Sequence, residues 1–351
     1  MKYIYMIIII TFSSLFVQAR DDCLQEAPVN ELGRSMRPEK QTFYISPSGH
    51  FYIHYDTTGN AKADIDYVKE VGIIADSSYK VLVNDLGYQE EPFDGEGGYD
   101  IYIMSYGAGV YGYNYKEGEG TSYLQIDNDY LGYNSKFNLS PIEIMRISVA
   151  HEYFHGIQWG YRSNLGNNAY FYEMTSMWFE DVMVPDGNDY LDGWVDPLLD
   201  NPIADFDNTG NGYELALFGH YLSSFLDSKG IEDAKNSTII REVWEKMATS
   251  NLNAFSSLRN ILENNYSISF QEIWVDFMSR NLFNGIDSDY YYYNDQDLIR
   301  PIEFNLIDIN NADPFALNID SESIALKSYA LDELDTLFIT HSDDNYIGRV
   351  I

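Results

Sequence analysis

Two histidines and a glutamate stand where they could work on one metal ion. In Val149-Ala150-His151-Glu152-Tyr153-Phe154-His155 the imidazoles are four residues apart, which on a helix sets them one turn apart on one face, so that two nitrogens can meet a single cation. Zinc suits such a pair, since it takes neutral imidazole at about 2.0–2.1 Å and works with three protein ligands plus a water. Glu152 then lies beside that water, not on the metal. In that arrangement the cation brings the water's pKa toward about 7, and the glutamate takes its proton as a carbonyl is attacked and later protonates the leaving amine. The plainer alternative is a buried helix whose histidines bond backbone carbonyls.

A third ligand is needed, and Phe171-Tyr172-Glu173-Met174-Thr175-Ser176-Met177-Trp178-Phe179-Glu180-Asp181 offers two glutamates. Glu173 and Glu180 share a helix face, and the chain between His155 and Glu173 is long enough for a loop and an antiparallel return. Glu173 is the favoured ligand. Glu180 would then be an acceptor behind the metal site or a solvated helix residue. Tyr213 and His220, also on one face of a following helix, are the candidates for a donor to the developing oxyanion. Among 31 tyrosines and six histidines, ordinary packing is the competing role for both. Asp205-Phe206-Asp207-Asn208-Thr209-Gly210 opens like a calcium loop, but Ala216 stands at its twelfth position, where a bidentate glutamate belongs, so an Asx turn is preferred. His50, His54 and His341 have no ligand spacing and read as structural or surface residues.

The elements that must position these residues are legible in part. Phe51 to Tyr55 alternates as a strand, and residues 61 to 86 carry apolar side chains at helical spacing up to Gly87. Residues 99–104 and 122–126 read as further strands between glycine-rich turns. Ser140-Pro141-Ile142-Glu143 is a capping box with proline at the first helical position, starting a helix to about Trp159. A second helix spans about Tyr170 to Met183 and is stopped by Pro185. Helical spacing recurs over 213–226, 231–248, 255–262 and 270–283. The pattern is α+β, with a mixed sheet lobe first, a helical lobe second and the histidine helix between them. Residues 20–42 read as a loose N-terminal segment, 43–300 as the catalytic domain, and 301–351 as a small β-rich appendage.

Composition sets the surroundings. One lysine precedes the apolar run that ends Val17-Gln18-Ala19, the pattern of a cleavable secretory leader over residues 1–19, so the expected place is the periplasm or the exterior, with no stable membrane anchor. Charged Arg20-Asp21-Asp22 before Cys23 argues against lipid attachment there. With a single cysteine there is no intrachain disulfide to hold the fold, even in an oxidising space. Lysine and arginine number 21 against 55 acids, a net charge of −34, and that field repels nucleic acid and anionic membranes. Solubility explains most of the acidity, and calcium held by acidic loops is the secondary expectation. A monomer is expected.

The chain resembles a family of secreted bacterial metalloproteases of the gluzincin type, known from gliding bacteria. The likeness covers roughly residues 51 to 283, through Phe51-Tyr52-Ile53-His54-Tyr55, Gly97-Gly98-Tyr99-Asp100-Ile101-Tyr102, Ser122-Tyr123-Leu124-Gln125-Ile126-Asp127-Asn128-Asp129-Tyr130, His151-Glu152-Tyr153-Phe154-His155-Gly156-Ile157-Gln158 and the Glu173 helix. It implies a two-lobed zincin-like fold, zinc on His151, His155 and Glu173, and Glu152 as catalytic acid and base. It departs at Tyr213-Glu214, where members tend to have Tyr-Gly, and in a short C-terminal β region. By the same resemblance an edge strand just before the histidine helix, here Ser122 to Asp127 with Tyr123 and Gln125, would pair with the backbone of a peptide or protein substrate. An endopeptidase is the leading expectation. A zinc aminopeptidase and a non-catalytic secreted binding protein that keeps its zinc are the alternatives.

Overall fold

The computed structural model describes residues 23–95, 97–107, 109–200, 212–227, 236–285, 295–302, 306–307 and 328–329. The expected leader over 1–19, the Asp205–Gly210 loop, His341 and most of the expected 301–351 appendage lie outside them; of the last, 301–302 and one parallel pairing of Leu306–Ile307 with Ser328–Tyr329 are described.

Within the segment expected to be loose over 20–42, residues 24–26 form a strand, β1 (Leu24–Glu26). Next come β2 (Thr42–Ile45) and β3 (Phe51–Tyr55). In β3 alternation puts Phe51, Ile53 and Tyr55 inside, as period-two patterning requires. Helix α1 (Ile65–Tyr79), N-capped by Asp64, continues as a wider turn through Lys80–Asp85 and ends before Gly87, whose φ of +77° suits glycine. It leads to β4 (Tyr99–Met104), β5 (Gly112–Glu117) and β6 (Thr121–Asp127). The sheet has six strands in the order β1-β5-β6-β4-β3-β2. Strands β3, β4 and β6 are mutually parallel, β5 runs antiparallel to β6, and β1 runs parallel to β5. The architecture is a six-stranded mixed sheet with several helices, consistent with the expected α+β class.

Strand β5 is hard to read in the sequence because Gly112-Tyr113-Asn114-Tyr115-Lys116-Glu117 alternates aromatic with polar residues and has no aliphatic run. Its insertion changes which strand has a free edge. Strand β6 is hydrogen-bonded on both sides, to β4 and β5, so Tyr123 and Gln125 lie in an interior strand. The expected substrate edge is therefore corrected: the edge on this side belongs to β5, and β1 covers it.

Helix α2 (Pro141–Tyr161) starts at the expected box: Ser140 Oγ accepts from Glu143 N, and the Glu143 carboxylate accepts from Ser140 N at 2.7 Å. Beyond its first turn it is buried nearly all round, packed on α1, β5 and β6 and on the next helix, α3 (Ala169–Met183). A helix with no solvated stripe belongs in the centre of a fold. The chain continues through α4 (Asp196–Asp200), a short turn into α5 (Ala216–His220), then α6 (Ile239–Thr249), α7 (Ala254–Ile261) and α8 (Phe270–Arg280). One continuous apolar core joins the sheet to these helices, from Phe51 and Ile101 through Phe154 and Trp178 to Phe277.

Candidate metal centre

His151 and His155 project from one face of α2, and their rings meet edge to face with centroids 4.9 Å apart. Across from them α3 brings Glu173, whose Oε2 lies 3.2 Å from His151 Nε2 and 3.4 Å from His155 Nε2. The fourth member comes from the far end of the chain. Cys23 Sγ sits 3.1 Å from His155 Nε2, 3.5 Å from His151 Nε2 and 3.2 Å from Glu173 Oε1. All four side chains are buried, and among the described residues this is the one group of histidine, cysteine and acidic side chains gathered closely enough to share a metal ion.

These spacings can be tested against a tetrahedral ion. Bonds of about 2.0–2.3 Å to nitrogen, oxygen and sulfur require ligand atoms about 3.3–3.8 Å apart. The observed contacts, 3.1–3.5 Å, agree to within a few tenths of an ångström. Burial by itself would raise the Glu173 carboxyl, but the His155 and His151 rings beside it outweigh burial and hold it well below the ordinary carboxylate range. The donor set therefore fits a divalent cation.

Behind the ring nitrogens that converge, the other two are occupied. His151 Nδ1 bonds Glu180 Oε2 at 3.0 Å, and His155 Nδ1 bonds Gln158 Oε1 at 2.7 Å. With the proton on each Nδ1, both Nε2 lone pairs face the cluster, which is how a metal-binding imidazole is oriented. Gln158 is itself locked, its amide donating to Tyr172 O, Thr175 Oγ1 and Ser176 Oγ at 3.0–3.1 Å. Glu180, expected either behind the metal site or as a solvated helix residue, is buried and bonded to His151 Nδ1. Gln158 was missed, although its i+3 position from His155 was a usable signal.

Glu152 shares a small cleft with Cys23, Tyr111, Gly112 and His151. Strand β5 passes close over it: a Cβ on Gly112 would come within 2.9 Å of Glu152 Cγ and 3.0 Å of Gln125 O. Asn114, also on β5, donates to Glu152 O at 2.8 Å and accepts from Trp159 Nε1 at 2.9 Å, pinning the strand to α2. Tyr213 reaches the cluster, its hydroxyl 3.9 Å from Cys23 Sγ and its ring 6.3 Å from that of His151. The turn before it depends on Gly212, with φ +93° and backbone pressed on Tyr170.

His220 has a different setting. It lies 3.4 Å from Asp181 Oδ2 and packs against Tyr190 at 4.9 Å. Burial pushes His220 down to about 3 and, with Asp295 and Glu180 nearby, pushes Asp181 up. His50 bonds Glu91 and His54 bonds Asp100, at 2.5 and 2.6 Å, the structural roles expected of them.

Among the described residues no helix is long and apolar enough to cross a membrane. No family model matches the chain, and no curated protein gives a significant match. The functional reading therefore rests on chemistry and geometry.

Proposed function

We propose that the chain is a zinc-dependent peptidase, secreted by way of its leader, with a zincin-like arrangement of the gluzincin type. His151, His155 and Glu173 hold the ion, and Glu152 is the general base and acid. The observation that carries this reading is the convergence of both Nε2 atoms and the Glu173 carboxylate, each imidazole being fixed from behind by Glu180 or Gln158. A bound zinc supplies a Lewis acid that polarises a peptide carbonyl and makes a water acidic near neutral pH.

The chain's own residues divide the remaining work. Glu152 lies in the histidine turn without ligating, which suits a group that accepts a proton and returns it to the leaving nitrogen. Tyr213, beside Cys23 and His151, is placed to donate to a carbonyl oxygen as charge develops on it.

One observation favours a second reading. Counting Cys23, the protein offers four ligands, and closed four-ligand zinc sites are structural as a rule. The experiment compares zinc content and casein hydrolysis for the full chain, Cys23→Ala, Glu152→Gln and the double variant. Stoichiometric zinc in all four, with hydrolysis in a Glu152-bearing form that is lost on Glu152→Gln, supports the peptidase. Zinc without hydrolysis in any form supports the structural site, and no zinc after reconstitution rejects both.

A further inference from the structure

Cys23 belongs to the metal cluster and also leads directly into a strand of the sheet. From Leu24 to Glu26 the chain pairs in parallel with β5, in the register Leu24 to Asn114, Gln25 to Tyr115 and Glu26 to Lys116. The Cys23 carbonyl accepts from Asn114 N at 2.9 Å, Ala27 N donates to Lys116 O at 2.8 Å, and Glu26 meets Lys116 Nζ at 2.7 Å. These bonds use the β5 edge that β6 leaves over. That edge runs directly past Glu152 and the histidines, which is where a peptide would have to pair for its carbonyl to reach the ion. The N-terminal segment thus lies in a substrate's place, but it presents a thiol to the metal ligands while its nearest carbonyl is committed to Asn114 N.

Beyond the strand the chain is held differently. After Ala27 it makes an exposed hairpin, bridged at Val29 and Ser35, whose tip is held by Asn30 Oδ1 accepting from Leu32 N and Arg34 N. Leu32 is 80% exposed there and Gly33 is left-handed. Then Arg37 fastens the chain again, bonded to Asp94, Asp100 and Glu117. A cut in the hairpin would leave everything from Arg37 onward anchored. The released piece would be held by a three-residue strand and one thiol.

We infer that Cys23 is a fourth, displaceable metal ligand whose thiol holds β1 on the β5 peptide-binding edge, and that this hold keeps the peptidase latent until the thiol is withdrawn, as by a cut in the exposed hairpin between Ala27 and Arg37. This rests on the peptidase reading above. With zinc bound, activation would be a ligand exchange in which Cys23 Sγ gives up its place and takes up a proton from solvent, leaving His151, His155 and Glu173 to hold the ion with a water.

The test is zinc-edge X-ray absorption on the zinc-loaded full chain, on Cys23→Ala, on Cys23→Ser, and on the full chain nicked by trypsin at Arg34, with casein hydrolysis measured on each. The full chain is expected to show a sulfur shell at about 2.3 Å. Both substitutions and the nick should remove it at unchanged zinc content and raise hydrolysis by about tenfold or more, the gain when a mostly closed site is opened. A full chain with only nitrogen and oxygen shells overturns the inference, as does a full chain as active as Cys23→Ala; in the second case the peptidase reading stands. A sulfur shell lost on substitution without hydrolysis in any form overturns the latency and favours the structural site. Absence of zinc from every form overturns both readings.

Discussion

Replacing the acceptors behind the two imidazoles should weaken metal binding without touching a ligand. Glu180 Oε2 accepts from His151 Nδ1 at 3.0 Å and Gln158 Oε1 from His155 Nδ1 at 2.7 Å, and both acceptors are buried. Glu180→Ala removes the carboxylate behind His151, and Gln158→Ala leaves only Ser176 Oγ, 3.2 Å from His155 Nδ1, behind the other ring, so each ring loses the acceptor that best fixes its tautomer and its aim. Such supports are worth about tenfold to a hundredfold in metal affinity, or about 1.4–2.7 kcal/mol each. The two supports act on different rings, so the double variant should lose about a hundredfold to ten-thousandfold. The rings lie 4.9 Å apart and share Glu173, close enough for the sum to fall short. Glu180→Gln keeps an oxygen at the same position and should lose less than Glu180→Ala. The assay is competition for zinc against a chromophoric chelator, with thermal unfolding of the metal-free protein as the control for general damage. Affinities within twofold of the parent for both alanine variants would refute the reasoning. So would a loss of affinity matched by an equal loss of metal-free stability.

Three further outcomes are expected. Gly112→Ala sets a methyl 2.9 Å from Glu152 Cγ, so in a Cys23→Ala background it should keep stoichiometric zinc yet lose about a hundredfold in casein hydrolysis, the scale of a displaced general base; an unchanged rate removes Glu152 from the reaction. Gly212→Ala meets both a left-handed φ of +93° and Tyr170 O at 2.1 Å, so denaturant unfolding should show a loss of about 1–3 kcal/mol or more, and an unchanged midpoint would disprove the close approach. Burial pushes Glu214 up to about 6 from an ordinary 4.5, so between those pH values the folded chain binds more protons than the unfolded one, and Glu214's contribution falls as pH rises through the window. Unfolding of Glu214→Gln measured across pH should therefore gain on the parent above pH 6, by at most about 2 kcal/mol, and match it below pH 4.5; parallel curves would contradict the burial argument.

Local chemistry is legible in the sequence, and pairing across the chain is not. The capping box at Ser140 and Glu143, the one-turn spacing of His151 and His155, and the shared face of Glu173 and Glu180 depend on neighbours within a helix turn or two, and the structure has each of them. Strand β5 escapes notice because alternating tyrosines carry little aliphatic signal, and with it goes the identity of the edge, so the sequence places Tyr123 and Gln125 one strand too far out. A lone cysteine near a leader suggests only disulfides or lipid. The partners of Cys23 lie 128, 132 and 150 residues away, a distance at which no periodicity speaks. His220 shares a helix face with Tyr213 in the sequence, but the chain tightens into a short turn and a five-residue α5 there, and His220 packs on Tyr190 and Asp181.

An uncovered β5 would also be a hazard, since a free strand edge beside a cleft invites pairing with any extended chain. The opposite edge, β2, is short and turns Phe43 and Ile45 partly outward. On the proposed peptidase reading, an edge that accepts peptides cannot be blunted by charge or proline without losing that capacity. On the inference drawn above, a detachable strand resolves the conflict, covering the edge while the chain is stored and leaving it intact afterward. Three residue pairs and one thiolate are a hold of suitable weakness: a longer strand would not leave, and a strand without Cys23 would have nothing to place at the ion.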